Sequence, residues 1–212
     1  MSGSTDNSVK APSGTALVLR SVSCIRGERI LFSGLDLTAA PGHIVWLRGA
    51  NGQGKTTLLR SIAGLSAPAA GSIAVPALPT IYLGHANALN DDLTVIESLR
   101  FLLRIGADRP PSEASVSAAL ARLDMSSRRN APVRTLSQGQ RRRVALARLA
   151  AADDAALWLL DEPYDALDAD GSAVLDGVLG AHARRGGIVV LTSHLPLSLE
   201  PAPIVVQLGS GP

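Results

Sequence analysis

The chain has 212 residues, of which 46% are hydrophobic, and a formal net charge of +2 at neutral pH. That length favours one sizeable hydrophobic core, with room for a subdomain but hardly for a second domain. No apolar run approaches the roughly 18 uncharged residues that a membrane-spanning helix needs. Aromatic residues make up only 3%, which disfavours a nucleic-acid partner, because single strands are usually bound by stacking on aromatic side chains.

The first 14 residues are small and polar, whereas residues 15–212 carry the hydrophobic pattern of a single domain. The leading segment lacks the apolar centre of a signal peptide, so it predicts a disordered tail on a protein that stays in the cytoplasm. The lone Cys24 rules out an intramolecular disulfide and is expected to be a small core residue.

Short strands dominate the first third of the chain. Residues 16–37 alternate around "RGER", which predicts a small antiparallel sheet. "HIVWLR" is a continuous apolar strand, typical of a parallel sheet covered on both faces. A glycine-rich loop and the helix "KTTLLRSIAGL" come next, and the strands "GSIAV" and "TIYLG" follow them.

Helices dominate from about residue 86 to 150, and strands return afterwards. Helical spacing of apolar residues covers "VIESLRFLLRIG", "SEASVSAALARL" and "QGQRRRVALARLAAA". The later strands are "ALWLL", "GIVVLT" and "IVVQL", with a helix over "GSAVLDGVLGAHARR" between the first two. This order predicts an α/β fold with a mixed sheet, a small antiparallel part and an inserted helical subdomain at about residues 86–150.

The glycine-rich loop "GANGQGKT", residues 49–56, fits the pattern of a phosphate-binding loop between a strand and a helix. Its backbone N–H groups would surround phosphate oxygens at the positive end of the helix. Lys55 would hold the β and γ phosphates, and Thr56 would ligate Mg²⁺; the alternative is an ordinary glycine turn. The residues expected to bind the nucleotide here are Gly49, Ala50, Asn51, Gly52, Gln53, Gly54, Lys55, Thr56 and Thr57.

Two carboxylates end the hydrophobic strand in "ALWLLDEP". Asp161 can hold Mg²⁺ through water, and Glu162 can orient and polarise an attacking water. A strand that ends in Asp-Glu is weak evidence alone, since carboxylates often begin a solvated loop, but it gains weight after a phosphate loop.

A third motif, "LSQGQ" at residues 136–140, opens the arginine-bearing helix 24 positions before Asp161. It resembles the Leu-Ser-x-Gly-Gln signature of the ATP-binding cassette (ABC) family of P-loop NTPases, and the resemblance covers about residues 17–208. It implies that Ser137, Gly139 and Gln140 lie at the ATP held by the phosphate loop of a second copy. The resemblance therefore implies a head-to-tail homodimer that encloses two ATP molecules.

Two further segments are similar to those of the family. "ALD", with Asp168, looks like the loop that crosses the dimer interface, and His194 in "LTSH" looks like the histidine that contacts the γ-phosphate. The resemblance implies that His194 arranges Glu162 and the water for catalysis. The three arginines that follow the signature could suggest nucleic-acid binding, but their position favours a solvated or interface face of the helix.

Three residues depart from the family pattern. Arg26 stands where an aromatic residue usually stacks on adenine, and a guanidinium plane can also stack on a ring. Asp165 stands in place of a serine before Ala166. In "YLGHANAL", His85 replaces the glutamine that in the family contacts Mg²⁺ and water, and we interpret it either as a coupling residue or as a packing residue.

"CIRGERILFSGL", "YLGH" and "LSQGQRRRVALARL" together are similar to the ATP-binding subunit of the haem exporter of cytochrome c biogenesis. That resemblance implies a peripheral ATPase on the cytoplasmic face of the inner membrane, which contacts the membrane only through integral membrane partners. It also implies ATP and Mg²⁺ as cofactors. The alternatives are a cassette ATPase for another cargo, a soluble mechanoenzyme acting on ribosomes or DNA, and a non-catalytic regulatory module.

Overall fold

A parallel sheet and an antiparallel sheet form the framework of the protein. The structure is a computed structural model that describes residues 15–105, 111–152 and 154–209; the predicted tail, residues 1–14, lies outside the described residues. The strands are β1 (Leu17–Arg26), β2 (Arg29–Ala39), β3 (Ile44–Arg48), β4 (Ala70–Ala74), β5 (Thr80–Leu83), β6 (Leu157–Leu160), β7 (Ile188–Thr192) and β8 (Ile204–Gln207). The helices are α1 (Lys55–Ile62), α2 (Val95–Arg104), α3 (Glu113–Arg122), α4 (Gln138–Ala150) and α5 (Ala169–Arg184).

The antiparallel sheet has the order β2-β1-β4 and confirms the sheet predicted near the start of the chain. Alternate residues of β1 face the core, and Cys24 is one of them, with 1% of its surface exposed. The predicted core position of this cysteine is therefore confirmed.

The parallel sheet has the order β5-β6-β7-β3-β8. All residues of β6 and β7 are buried, as expected for strands that are covered on both faces. Because parallel strands end at the same edge, the segments that follow β3, β5, β6 and β7 meet there. This edge brings together motifs that are more than one hundred residues apart in the chain.

The two faces of the parallel sheet pack against different layers. Leu157 and Leu159 of β6 belong to a core shared with α1 and the antiparallel sheet. Trp158 and Leu160 belong to a core shared with α2, α3, α4 and α5. The three helices α2, α3 and α4 lie between β5 and β6 in the chain, as the predicted insertion requires; its limits at residues 86–150 remain a prediction. Within the described ranges, no helix is long and apolar enough to cross a membrane.

A buried histidine packs beneath β6. The ring of His182 stacks on Trp158 with centroids 3.5 Å apart and planes 5° from parallel. Its Nε2 lies 2.9 Å from the carbonyl oxygen of Ala156, so this nitrogen carries the hydrogen in the neutral ring. Burial lowers the pKa of His182 to about 4, so the side chain is neutral at pH 7.

Candidate nucleotide site

The phosphate loop, residues 49–56, joins the end of β3 to the start of α1 and needs glycine at two places. Gly54 precedes the first turn of α1 with φ of 95°, a left-handed conformation that favours glycine. A Cβ on Gly49 would lie 2.6 Å from the carbonyl oxygen of Leu208, which follows β8. The loop therefore approaches neighbouring backbone closely and ends at the positive N-terminal end of α1.

Lys55 places its ammonium inside this loop. Its Nζ donates hydrogen bonds to the carbonyl oxygens of Gly49, at 2.7 Å, and Ala50, at 3.3 Å. The side chain of Gln53 also bonds within the loop, because its Oε1 accepts from the N–H of Ala50 at 2.5 Å. Side chains of the loop thus hydrogen-bond to its own backbone. The buried ammonium of Lys55 lies at the position where a phosphate would carry negative charge.

Asp161 links the phosphate loop to the carboxyl ends of the sheet strands. Its Oδ2 accepts a hydrogen bond from the Thr56 hydroxyl at 2.8 Å, and its Oδ1 accepts from the Thr192 hydroxyl at 3.1 Å. The Thr192 hydroxyl also accepts from the N–H of Glu162 at 2.7 Å. Thr192 therefore ties the carboxylate of Asp161 and the backbone of Glu162 to β7, a role that the sequence analysis missed. Its polar side chain at the end of an apolar strand was the available signal.

The oxygens of Thr56 and Asp161 fit the requirements of Mg²⁺, which is usually held by one or two carboxylates together with phosphates and waters. In the described ranges, no group of three or more His, Cys, Asp or Glu side chains could hold a metal ion by itself. A hydroxyl and a single carboxylate at the mouth of a phosphate loop therefore suit a metal ion that arrives with a nucleotide.

Glu162 faces His194 across the same edge of the sheet. The carboxylate is buried, and its Oε2 accepts a hydrogen bond from the N–H of His194 at 3.1 Å. Its Oε1 lies 3.5 Å from Nε2 of His194 and has no hydrogen-bond partner among the described residues. A buried carboxylate oxygen that lacks a donor is suited to accept a hydrogen bond from water. We call Thr56, Asp161, Glu162, Thr192 and His194 the catalytic junction.

The signature residues occupy a different surface. Ser137 caps α4: its hydroxyl accepts from the N–H of Gln140 at 3.2 Å, and Oε1 of Gln140 accepts from the N–H of Ser137 at 3.0 Å. The start of α4 also approaches a loop closely, since a Cβ on Gly139 would lie 2.7 Å from the carbonyl oxygen of Ala166. The predicted contact residue Gln140 is therefore engaged in this cap.

Asp168 is held beside the signature residues. Its carboxylate caps α5 by accepting from the N–H of Gly171 at 2.9 Å, and it accepts from Nη2 of Arg143 at 2.6 Å. These two hydrogen bonds lower the pKa of Asp168. We call Ser137, Gly139, Arg143, Ala166 and Asp168 the signature face; it lines an open cavity of about 580 Å³ that no phosphate-loop residue lines.

Of the three residues that depart from the family pattern, two lie close together and the third lies on the β1–β2 hairpin. His85 is exposed, and its Nδ1 lies 3.9 Å from Oδ2 of Asp165, so two departures from the family pattern face each other. Arg26 is exposed at the end of β1, opposite Arg29 in the hairpin. The proposed contact of Arg26 with adenine stays a prediction.

The expectation of a solvated or interface helix face is wrong for Arg142, the middle arginine of the run. Only 3% of its surface is exposed, because it lies on the buried side of α4 with Ala145, Leu146 and Leu149. These residues follow at helical spacing, which was the missed signal. Burial lowers the pKa of Arg142, whereas the nearby Asp165 and other carboxylates raise it.

Comparison with known proteins agrees with this geometry. Residues 32–165 match the family profile described as ABC transporter. The chain belongs to the ABC transporter family. It is therefore an ABC ATPase, and the resemblance noted from its motifs is confirmed.

Several curated relatives of this ABC ATPase are named cytochrome c biogenesis ATP-binding export protein CcmA. The one from Aromatoleum aromaticum is 43% identical, over 88% of this chain and 92% of the relative. The one from Hyphomonas neptunium is 46% identical, over 82% of this chain and 86% of the relative. Among solved structures, a dimeric ATP-binding cassette in a post-hydrolysis state bound to ADP and Pi has a TM-score of 0.72 at 23% identity. That match covers 84% of this chain and 88% of the cassette, and it shows the shared fold.

Proposed function

We propose that this ABC ATPase is the ATP-hydrolysing subunit of a haem-handling export complex in cytochrome c maturation. Identities of 43% and 46% to export proteins of cytochrome c biogenesis, over most of each chain, support the assignment to this pathway. The observation that carries the catalytic part is the catalytic junction, in which a chain of hydrogen bonds runs from Thr56 of the phosphate loop through Asp161 and Thr192 to Glu162 and on to His194.

In the proposed reaction, Lys55 and the N–H groups of the phosphate loop bind the β and γ phosphates of ATP. Thr56 and, through water, Asp161 would hold Mg²⁺, which when bound would neutralise charge on the phosphates. Oε1 of Glu162 accepts a hydrogen bond from the attacking water and so orients it in line with the γ-phosphate. His194 holds Glu162 through its N–H and places its ring beside the same oxygen.

The active species we propose is a head-to-tail dimer with two ATP molecules. In one chain, the signature face lines a cavity apart from the phosphate loop, so a second copy would bring Ser137 and Gly139 to the γ-phosphate. A serine hydroxyl and glycine backbone at the start of α4 make a suitable anion site. Integral membrane subunits would hold the dimer at the cytoplasmic face of the inner membrane.

The test combines an assay in solution with one in cells. Purified wild-type protein should hydrolyse ATP in the presence of Mg²⁺, and Lys55→Ala should abolish nucleotide binding or hydrolysis. In a cell whose own copy is replaced, Lys55→Ala should also abolish the maturation of c-type cytochromes. Normal holocytochrome levels in that strain would reject the role in cytochrome maturation and leave the ATPase assignment standing.

A further inference from the structure

Arg142 is a charged residue in the protein interior, and all of its side-chain hydrogen-bond donors have acceptors. A guanidinium group has five N–H donors, and this one makes five hydrogen bonds. Nε donates to the carbonyl oxygen of Pro163 at 3.2 Å, and Nη2 donates to those of Asp161 at 3.0 Å and Glu162 at 2.6 Å. Nη1 donates to the carbonyl oxygen of Gly84 at 3.3 Å and to Oδ1 of Asn87 at 3.0 Å.

The five acceptors belong to only two segments. Three are consecutive backbone carbonyls at residues 161–163, directly after β6, and two lie in residues 84–87, directly after β5. Because Arg142 itself lies on α4, one side chain joins the helical part, the segment with His85 and the segment with Glu162.

The backbone at Glu162 needs such support. Its φ is 47°, in the left-handed region that non-glycine residues seldom adopt. Such a conformation persists when the surroundings hold it. Thr192 binds the N–H of Glu162, and Arg142 binds its carbonyl oxygen and that of the preceding residue. The direction of the Glu162 side chain depends on this backbone.

We propose that Arg142 is a positioning residue, which holds the backbone of Glu162 so that its carboxylate faces His194. Through Gly84 and Asn87, Arg142 also ties that backbone to the segment that follows β5. The inference rests on the proposed ATPase and deepens it, since it names a residue outside the catalytic junction that sets the rate of hydrolysis.

The test compares kcat with ATP affinity in Arg142→Gln and Arg142→Lys. Glutamine can supply two of the five donors and lysine three, in a different geometry. Because small misplacements of a catalytic group can cost up to about 100-fold in rate, kcat should fall at least about tenfold in Arg142→Gln and less in Arg142→Lys. The dissociation constant for ATP should change less than about twofold, because the phosphate loop is untouched.

Arg141→Gln is the matched control on the same helix. It removes the neighbouring guanidinium and its ion pair with Asp91 but leaves every bond of Arg142 in place. Its kcat should stay within about twofold of wild type, as expected for an exposed ion pair. A folded Arg142→Gln variant with the kcat of Arg141→Gln would overturn the proposal. So would a loss of kcat matched by an equal loss of ATP affinity and a lower melting temperature, since that pattern indicates a structural role only.

If Arg142→Gln does not fold, Asn87→Ala tests the proposed role of Arg142 instead. It removes one acceptor and keeps the arginine, so kcat should fall about threefold or more with unchanged ATP affinity; an unchanged kcat would then overturn the proposal. Wild-type protein in the same assay distinguishes a failure of the proposed ATPase function from a failure of the proposed role of Arg142. Absence of hydrolysis by wild type rejects the ATPase function, whereas an active wild type with an equally active Arg142→Gln rejects only the role of Arg142.

Discussion

The catalytic junction and the signature face carry polar groups in opposite settings. Asp161, Glu162 and Thr192 are almost fully buried, and hydrogen bonds within one chain orient them. Ser137 and Asp168 are exposed on an open cavity, and their polar atoms are occupied by helix caps. The contrast teaches that the polar groups of the catalytic junction find their partners within one chain, whereas the signature face lines a cavity without a phosphate loop, as the proposed head-to-tail dimer requires.

The largest effect is expected from Glu162→Gln, which keeps the shape of the catalytic junction and removes its base. Hydrolysis should fall about 100-fold or more, the usual contribution of a general base, while ATP still binds. Turnover and ATP binding are measured on the same preparation. Unchanged turnover would remove Glu162 from the mechanism.

A mixture of two inactive variants tests whether the two regions act across chains. Lys55→Ala removes the ammonium group of the phosphate loop. Ser137→Ala removes a hydrogen-bond donor, and its loss should lower the rate of hydrolysis about 100-fold. In a mixed head-to-tail dimer, one site keeps an intact phosphate loop and an intact signature face. Co-expression should therefore restore about a quarter of wild-type activity if chains pair at random.

Lys55→Ala mixed with Glu162→Gln is the control for this complementation. Both changes affect the chain that supplies the phosphate loop, so each site of the mixed dimer keeps a defect and activity should not return. Recovery in the control, or no recovery with Ser137→Ala, would contradict the shared site. Melting temperatures show whether the lost cap at Ser137, worth about 1 kcal/mol, limits the result.

The interior beside the start of β6, at the sheet edge opposite the catalytic junction, should respond to pH through His182. Its pKa is about 4 in the folded chain, against 6.5 as the ordinary value, so the unfolded chain binds the proton more readily. Stability should be complete above pH 6.5 and decline as the pH falls toward 4. Between pH 7.5 and 5, the unfolding free energy should drop by about 2 kcal/mol from this residue.

Urea unfolding at the two pH values, in wild type and in His182→Gln, isolates this contribution. The substitution should remove most of the drop, whereas Ser137→Ala on the signature face should retain it. Equal pH dependence in wild type and His182→Gln would show that the buried histidine does not cause the decline.

The smallest effect is expected at His85 and Asp165, which belong to neither region. Both side chains are exposed and 3.9 Å apart, so their coupling should change kcat by only about two- to threefold. His85→Gln, Asp165→Ser and the double variant form a mutant cycle that measures it. Additive effects of the single changes would show that His85 and Asp165 act independently of each other.

Several features could be predicted from local sequence alone. The phosphate loop, the strand that ends at Asp161 and Glu162, and the capped helix at Ser137 depend on neighbouring residues and on helix or strand periodicity. The alternation of strands and helices predicted an α/β fold, and the resemblance of "LSQGQ" to the ABC signature indicated the family, which the family match confirms. The run of arginines at residues 141–143 shows what local sequence does not predict. Its three side chains face an acidic surface residue, the protein interior and Asp168 in turn.

The sequence by itself determined which chemical groups are present, where the strands and helices begin, and which family the chain belongs to. Only the tertiary structure decided that Thr192 joins Asp161 to Glu162, that Arg142 is buried against four backbone carbonyls, and that His85 faces Asp165. The physical reason is that the parallel order of the sheet brings together the ends of strands distant in sequence, where the most buried polar groups must find partners. Those partnerships depend on packing across the sheet, which no local pattern of residues encodes.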